Sequence, residues 1–176
     1  MLSIGACLVT REKLTPAQKR ERGLVFYAEL KPTSLFSQPP AIAVGASQLL
    51  ALKPMWNKPL YYSKHDAFNP LMALSYLQDS PETMLPATAM RELQKWVYAR
   101  GAGSLQSVEG VVDAAAFDFG WISYYCTTHG GIDPVFGHTG LDLRSLWKGV
   151  TRHLEAKLQG IRFPDRRTFP HHADED

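Results

Sequence analysis

The chain opens on an apolar run, Met1-Leu2-Ser3-Ile4-Gly5-Ala6-Cys7-Leu8-Val9, of strand type and with no turn or cap before it. A polar stretch from Thr10 to Arg22 follows, carrying Arg11, Lys13, Lys19, Arg20 and Arg22, and reads as a turn or loop. The segment Gly23 to Leu30 is apolar and aromatic again, so the two runs predict a β-hairpin with a long connection. Pro32, Pro39 and Pro40 mark a loop, Ala41 to Leu52 a short helix, and Pro54 to Pro70 an irregular stretch. Ser80-Pro81 has the form of a helix start, a Ser cap with Pro in the first helical position. Met90, Leu93, Trp96 and Val97 then recur at helical spacing until Gly101 and Gly103. A short strand, Ser107 to Val112, leads through Asp113 to Phe117-Asp118 into a helix ending near Tyr125. After a Gly-rich loop from His129 to Gly140, Asp142 caps a helix with Leu143, Leu146, Trp147, Val150 and Leu154 on one stripe. Gly160 is its natural stop, Arg162 to Phe169 a basic loop, and Pro170 the start of a last element.

Early strands followed by alternating helices and strand predict an α/β or α+β fold with a mixed sheet. Composition narrows this only slightly. With 176 residues, 45% hydrophobic and 20% charged, the chain has ordinary globular values and reads as one domain, residues 1–176, able to bury a real core. A net charge of +2 permits nucleic-acid binding without pointing to it. Two cysteines, Cys7 and Cys126, are too few for a disulfide framework and favour a reducing, cytoplasmic setting. No apolar run approaches the length of a membrane span, so a membrane partner is not expected.

Chemistry gathers at two places. Asp118 stands at a strand-to-helix transition, and a carboxylate there projects from the carboxyl end of a strand, the usual ligand edge of α/β sheets. A first-turn Asp stabilised by the helix dipole has the same sequence. The second place is Pro170-His171-His172-Ala173-Asp174-Glu175-Asp176, where a neutral histidine and a carboxylate suit a base and a ligand for hard divalent ions. A solvated polar tail has the same composition. His129 and His138 lack metal-ligand spacing and read as loop histidines, and Cys126 as a small apolar residue. Tyr61-Tyr62 and Tyr124-Tyr125 could stack on bases, yet aromatics at this density more often belong to a core. Arg162, Arg166 and Arg167 suit either a phosphate backbone or solvent.

Taken in order, these segments resemble the DEDDh (DnaQ-like) 3′-5′ exonucleases of the ribonuclease H-like fold. Ser3-Ile4-Gly5-Ala6 is similar to the second strand of that fold and Phe26-Tyr27-Ala28-Glu29-Leu30 to its third. Phe117-Asp118 resembles the second acidic motif. Phe136-Gly137-His138-Thr139-Gly140-Leu141-Asp142 resembles the approach to the helix before the last motif, and His171 through Asp176 the closing H-x-A-x-x-D signature. The resemblance implies a three-layer α/β fold with a mixed central sheet. It also implies Asp118 and Asp176 as metal-binding carboxylates, His171 as general base, two Mg²⁺ or Mn²⁺ ions, and single-stranded DNA or RNA 3′ ends as substrate. A homodimer is common enough to be worth testing.

The departures carry equal weight. The family's first motif, D-x-E on the first and central strand, has no counterpart here, and the Asn often found before the second acidic Asp is absent. The expectation is therefore a fold lacking its first central strand and most of its last helix, with two acids missing. A truncated exonuclease domain is favoured over a natural short form that binds or scaffolds nucleic acid without cleaving it.

Overall fold

The computed structural model describes residues 1–36, 39–46, 49–101, 108–112, 115–136 and 140–155. The architecture is mixed α and β, as the alternation of apolar patterns requires, with small sheets and a majority of helix among its regular elements. Contacts divide the chain into two compact units, the boundary falling between Ala89 and Met90.

The first unit begins with the expected hairpin. Strands β1 (Ser3–Cys7) and β2 (Val25–Glu29) pair antiparallel, with Ser3 opposite Glu29 and Cys7 opposite Val25. The connection is not the loop that its polarity suggested. It holds helix α1 (Pro16–Glu21), fixed by a capping box: the Gln18 N–H donates to Thr15 Oγ1 at 3.2 Å, and the Thr15 N–H donates to Gln18 Oε1 at 2.9 Å. The Thr-Pro-x-Gln spacing is legible as such a box, and the density of Lys and Arg masked it. Helix α1 buries no side chain, so capping and proline geometry hold it rather than packing.

Helix α2 (Pro39–Ala46) replaces the longer helix expected to Leu52, and a separate 3₁₀ turn follows at Leu50–Met55. Helix α3 (Pro70–Asp79) starts where an irregular stretch was expected to end. Asn69 caps it, accepting from the Leu71 and Met72 N–H groups at 3.0 and 3.2 Å, with Pro70 in the first position. Ser80-Pro81 closes this helix instead of opening the next. The Thr83 hydroxyl donates back to the Leu77 carbonyl at 2.6 Å, the Ser80 Oγ accepts from the Glu82 N–H at 3.2 Å, and helix α4 (Pro86–Arg100) begins five residues later. The core of this unit comprises Ala46, Leu49, Ala51, Leu52, Ala73 and Leu77, with Leu2, Ile42, Trp56, Tyr61, Phe68 and Tyr76 packed on it.

In the second unit, α4 contributes a buried stripe of Met90, Leu93 and Val97 at the spacing read from the sequence. Strand β3 (Gly110–Val112), helix α5 (Ala115–Tyr125) and strand β4 (Gly140–Asp142) form a β–α–β unit whose strands pair in parallel, Gly110 opposite Gly140 and Val112 opposite Asp142. Helix α5 does not stop at Tyr125. It widens into a π turn, Cys126–Gly130, closed by Gly131 in the left-handed region at φ 61°, so His129 lies on a helical turn rather than in a loop. Helix α6 (Leu143–Thr151) follows β4 directly, with Asp142 as its cap: the Ser145 N–H donates to Asp142 Oδ1 at 2.7 Å.

Candidate functional site

The β3–α5–β4 unit is locked by one ring. A Cβ on Gly110 would stand 2.6 Å from Phe119 Cε1, and one on Gly140 would collide with the same ring. Since Gly110 and Gly140 face each other across the strand pair, the two glycines form a notch that only a missing side chain leaves open, and Phe119 fills it. Phe136 meets Phe119 edge-on at 5.9 Å between ring centroids and closes the notch. This contact fixes the rotation of α5 about its own axis.

Asp118 precedes Phe119 and is thereby fixed as well. It lies half-buried in the first turn of α5, the helix that follows β3 in the chain. The dipole of α5 favours a carboxylate at this turn whatever else it does. Asp142, the last residue of β4, stands at the same carboxyl edge of the parallel pair, but its Oδ1 is engaged in capping α6. Among the described residues no three His, Cys, Asp or Glu side chains come together as a metal-binding group. Asp118 therefore does not by itself make a divalent-ion site. His171 and Asp176, the other two expected site residues, lie outside the described residues, as do His138, Arg162, Arg166 and Arg167.

Along α5 the rings behave differently from a core. Phe117, Trp121, Tyr125 and His129 recur every four residues, and each consecutive pair is in contact: Phe117 with Trp121 at 6.3 Å, Trp121 with Tyr125 at 6.2 Å, Tyr125 with His129 at 4.9 Å between centroids. Tyr124 joins them, 6.0 Å from Trp121 and 5.8 Å from His129. Only Tyr125 is buried, at 3% exposure, whereas Phe117 is 65%, Trp121 42% and Tyr124 49% exposed. The expectation that Tyr124-Tyr125 is core holds for Tyr125 and fails for Tyr124. Tyr61 and Tyr62 are both half-buried, Tyr61 packing on the first unit's core and edge-on to Tyr76 at 5.8 Å.

The remaining candidates resolve as structure. Cys126 is fully buried, with its Sγ 3.9 Å from Met90 Sδ. Burial pushes its thiol above the usual range, partly offset by a backbone hydrogen bond with Val135. It is the small apolar residue that the sequence suggested. One buried carboxylate was not singled out from the sequence. Glu29, 5% exposed at the end of β2, accepts from the Leu50 N–H and the Tyr27 hydroxyl through Oε1, each at 2.6 Å, and from the Ala51 N–H through Oε2 at 2.9 Å. It caps the 3₁₀ turn from a distant strand, since Leu49 offers no side-chain bond there.

No protein-family model matches this chain, and no curated protein matches it. Nor is any helix of the described residues long and apolar enough to cross a membrane.

Proposed function

We propose that the chain is a 3′-5′ exonuclease-type domain of the DEDDh kind on a ribonuclease H-like scaffold, acting on single-stranded DNA or RNA 3′ ends. The observation that carries this reading is the place of Asp118: a half-buried carboxylate in the first turn of the helix that joins two parallel strands, on a helix packed by Phe119 into its glycine notch. In this reading Asp118 and Asp176 would be the carboxylates that hold divalent ions, whose chemistry would be to polarise water and the phosphodiester, and His171 would be the general base.

The test is release of mononucleotides from a 5′-labelled single strand in Mn²⁺, by the chain and by the chain extended with the in-frame residues encoded before Met1. His171→Ala is expected to lower the rate by roughly 10² to 10⁴-fold, the usual contribution of a general base. Asp118→Asn should lower it too, and relieving that loss should require more metal. Absence of release from both forms of the chain overturns the reading.

A second reading, a nucleic-acid-binding module without catalysis, is favoured by the exposed rings on α5. Binding to single strands with no release in Mn²⁺, even from the extended chain, selects it.

A further inference from the structure

We propose that the outer face of α5 and its π turn, formed by Phe117, Trp121, Tyr124 and His129, is a stacking platform for the bases of a single-stranded nucleic acid. The inference rests on the nucleic-acid reading above, but it concerns a surface rather than the reaction.

Helix α5 is apolar nearly all the way round, Ala-Ala-Phe-Asp-Phe-Gly-Trp-Ile-Ser-Tyr-Tyr, and such a helix is ordinarily buried on all sides. Here the inward side is already satisfied by Phe119 in the glycine notch and by Tyr125. Three large rings are left on the other side, a concentration of exposed aromatic surface that marks a binding site more often than chance. The platform is also preorganised. Buried Tyr125 touches Trp121, Tyr124 and His129 from beneath, at 6.2, 5.7 and 4.9 Å between centroids, so the outer rings lose little freedom when a ligand arrives. Their mutual contacts are edge-to-face, with interplanar angles of 77° for Phe117–Trp121 and 87° for Trp121–Tyr124. That arrangement uses ring edges against neighbouring faces and presents differently oriented π surfaces along the strip.

The choice of occupant follows from charge. At the π-turn end of the strip, exposed Arg91 donates from Nε to the Gly130 carbonyl at 3.3 Å, which anchors a guanidinium there, and the fork of that group suits a phosphate. From Phe117 to Tyr125 the helical rise gives about 12 Å, enough for successive bases laid along it. Flat rings with a cation at one end match a polymer of flat bases joined by phosphates. Stacking of this kind is tolerant of sequence, because every base has a π face.

Binding of the full chain to a labelled oligothymidylate, followed by fluorescence anisotropy in EDTA, tests the platform without cleavage. Trp121→Leu, which keeps apolar bulk, is expected to weaken binding on the order of tenfold, and Trp121→Phe to restore most of it. Arg91→Gln should flatten the slope of log K against log salt by about 0.7, one phosphate's worth, whereas Trp121→Leu should leave that slope unchanged. Equal affinity for Trp121→Leu and the parent chain overturns the proposal, as does the lack of any binding by the parent. Self-association that disappears in Trp121→Leu also overturns it, since the strip is then a contact between copies. The two readings fail separately: nucleotide release in Mn²⁺ unaffected by Trp121→Leu sinks the platform and leaves the exonuclease, while ring-dependent binding with no release does the reverse.

Discussion

The two units of this protein handle polarity in opposite directions. In the first, a carboxylate is drawn inside: Glu29 is 5% exposed, and both its oxygens are used to cap the Leu50–Met55 turn and hold Tyr27. In the second, the large rings of α5 are turned outside, while the inward contact is made by Phe119 against bare backbone at Gly110 and Gly140. A buried charge with every oxygen matched is a device for specifying structure. Exposed rings stabilise little and are free to bind. In the first unit the polar group serves the fold itself; in the second, the exposed face is the one that the proposal above assigns to a ligand.

Removing Glu29 is the severest way to probe that contrast. Glu29→Ala leaves the buried Ala51 N–H and the part-buried Leu50 N–H unmatched and is expected to cost about 3 kcal/mol. For a chain of this size that corresponds to a fall in Tm of roughly 6 to 12 °C. Hydrogen exchange should locate the loss in β2 and the Leu50–Met55 turn. If protection there is unchanged, the carboxylate is not the cap described here. A uniform loss across both units would instead mean that they unfold as one, which the comparison would then have to absorb.

A smaller effect is expected from the glycine notch. Gly140→Ala places a Cβ inside the space occupied by Phe119 and should destabilise by about 2 kcal/mol, the range for overpacking a tight contact. Because the clash is with one ring, Phe119→Leu in the same chain should recover part of the loss, a positive coupling measurable by a double-mutant cycle. Additive losses would show that α5 is held by something other than Phe119. Since Asp118 is the neighbouring residue, the same cycle read on nucleotide release shows whether the lock also positions the carboxylate.

How much of this could be read from the sequence depends on the range of the interaction. The hairpin was legible because both apolar runs have strand composition and the register follows from local alternation. The Asp142 cap was legible because its bond spans three residues. Helices α1 and α3 are equally local, through Thr15-Pro16-Ala17-Gln18 and Asn69-Pro70, but the surrounding charge and prolines mask these capping patterns. Ser80-Pro81 has the residues of a helix start, but the Thr83 hydroxyl draws the segment back onto α3, a choice made by geometry that the four residues do not encode alone. Glu29 was out of reach, since its partners at Leu50 and Ala51 lie 21 and 22 residues away. The ring strip was half-legible: the four-residue spacing from Phe117 to His129 is in the sequence, whereas which side of α5 meets solvent is decided by the notch at Gly110 and Gly140. For the candidate site, the position of Asp118 was readable from its strand and helix neighbours. The roles of His171 and Asp176 came from resemblance, and they lie outside the described residues.

The smallest expected effect separates the two aspartates at the edge of the parallel pair. As the N-cap of α6, Asp142 acts as a hydrogen-bond acceptor, and Asn fills that position about as well as Asp. Asp142→Asn should therefore shift stability by no more than a few tenths of a kcal/mol, whereas Asp142→Ala should cost about 1 kcal/mol, read as fraying of α6, which buries no side chain of its own. Asp118→Asn, by contrast, should leave the fold in place and act on nucleotide release, because a ligand to a hard cation needs the charge and an N-cap does not. If Asp142→Asn lowers release as strongly as Asp118→Asn does, the carboxyl edge of β3 and β4 uses both carboxylates in catalysis, and the division between a structural acid and a site acid would have to be redrawn within the second unit itself.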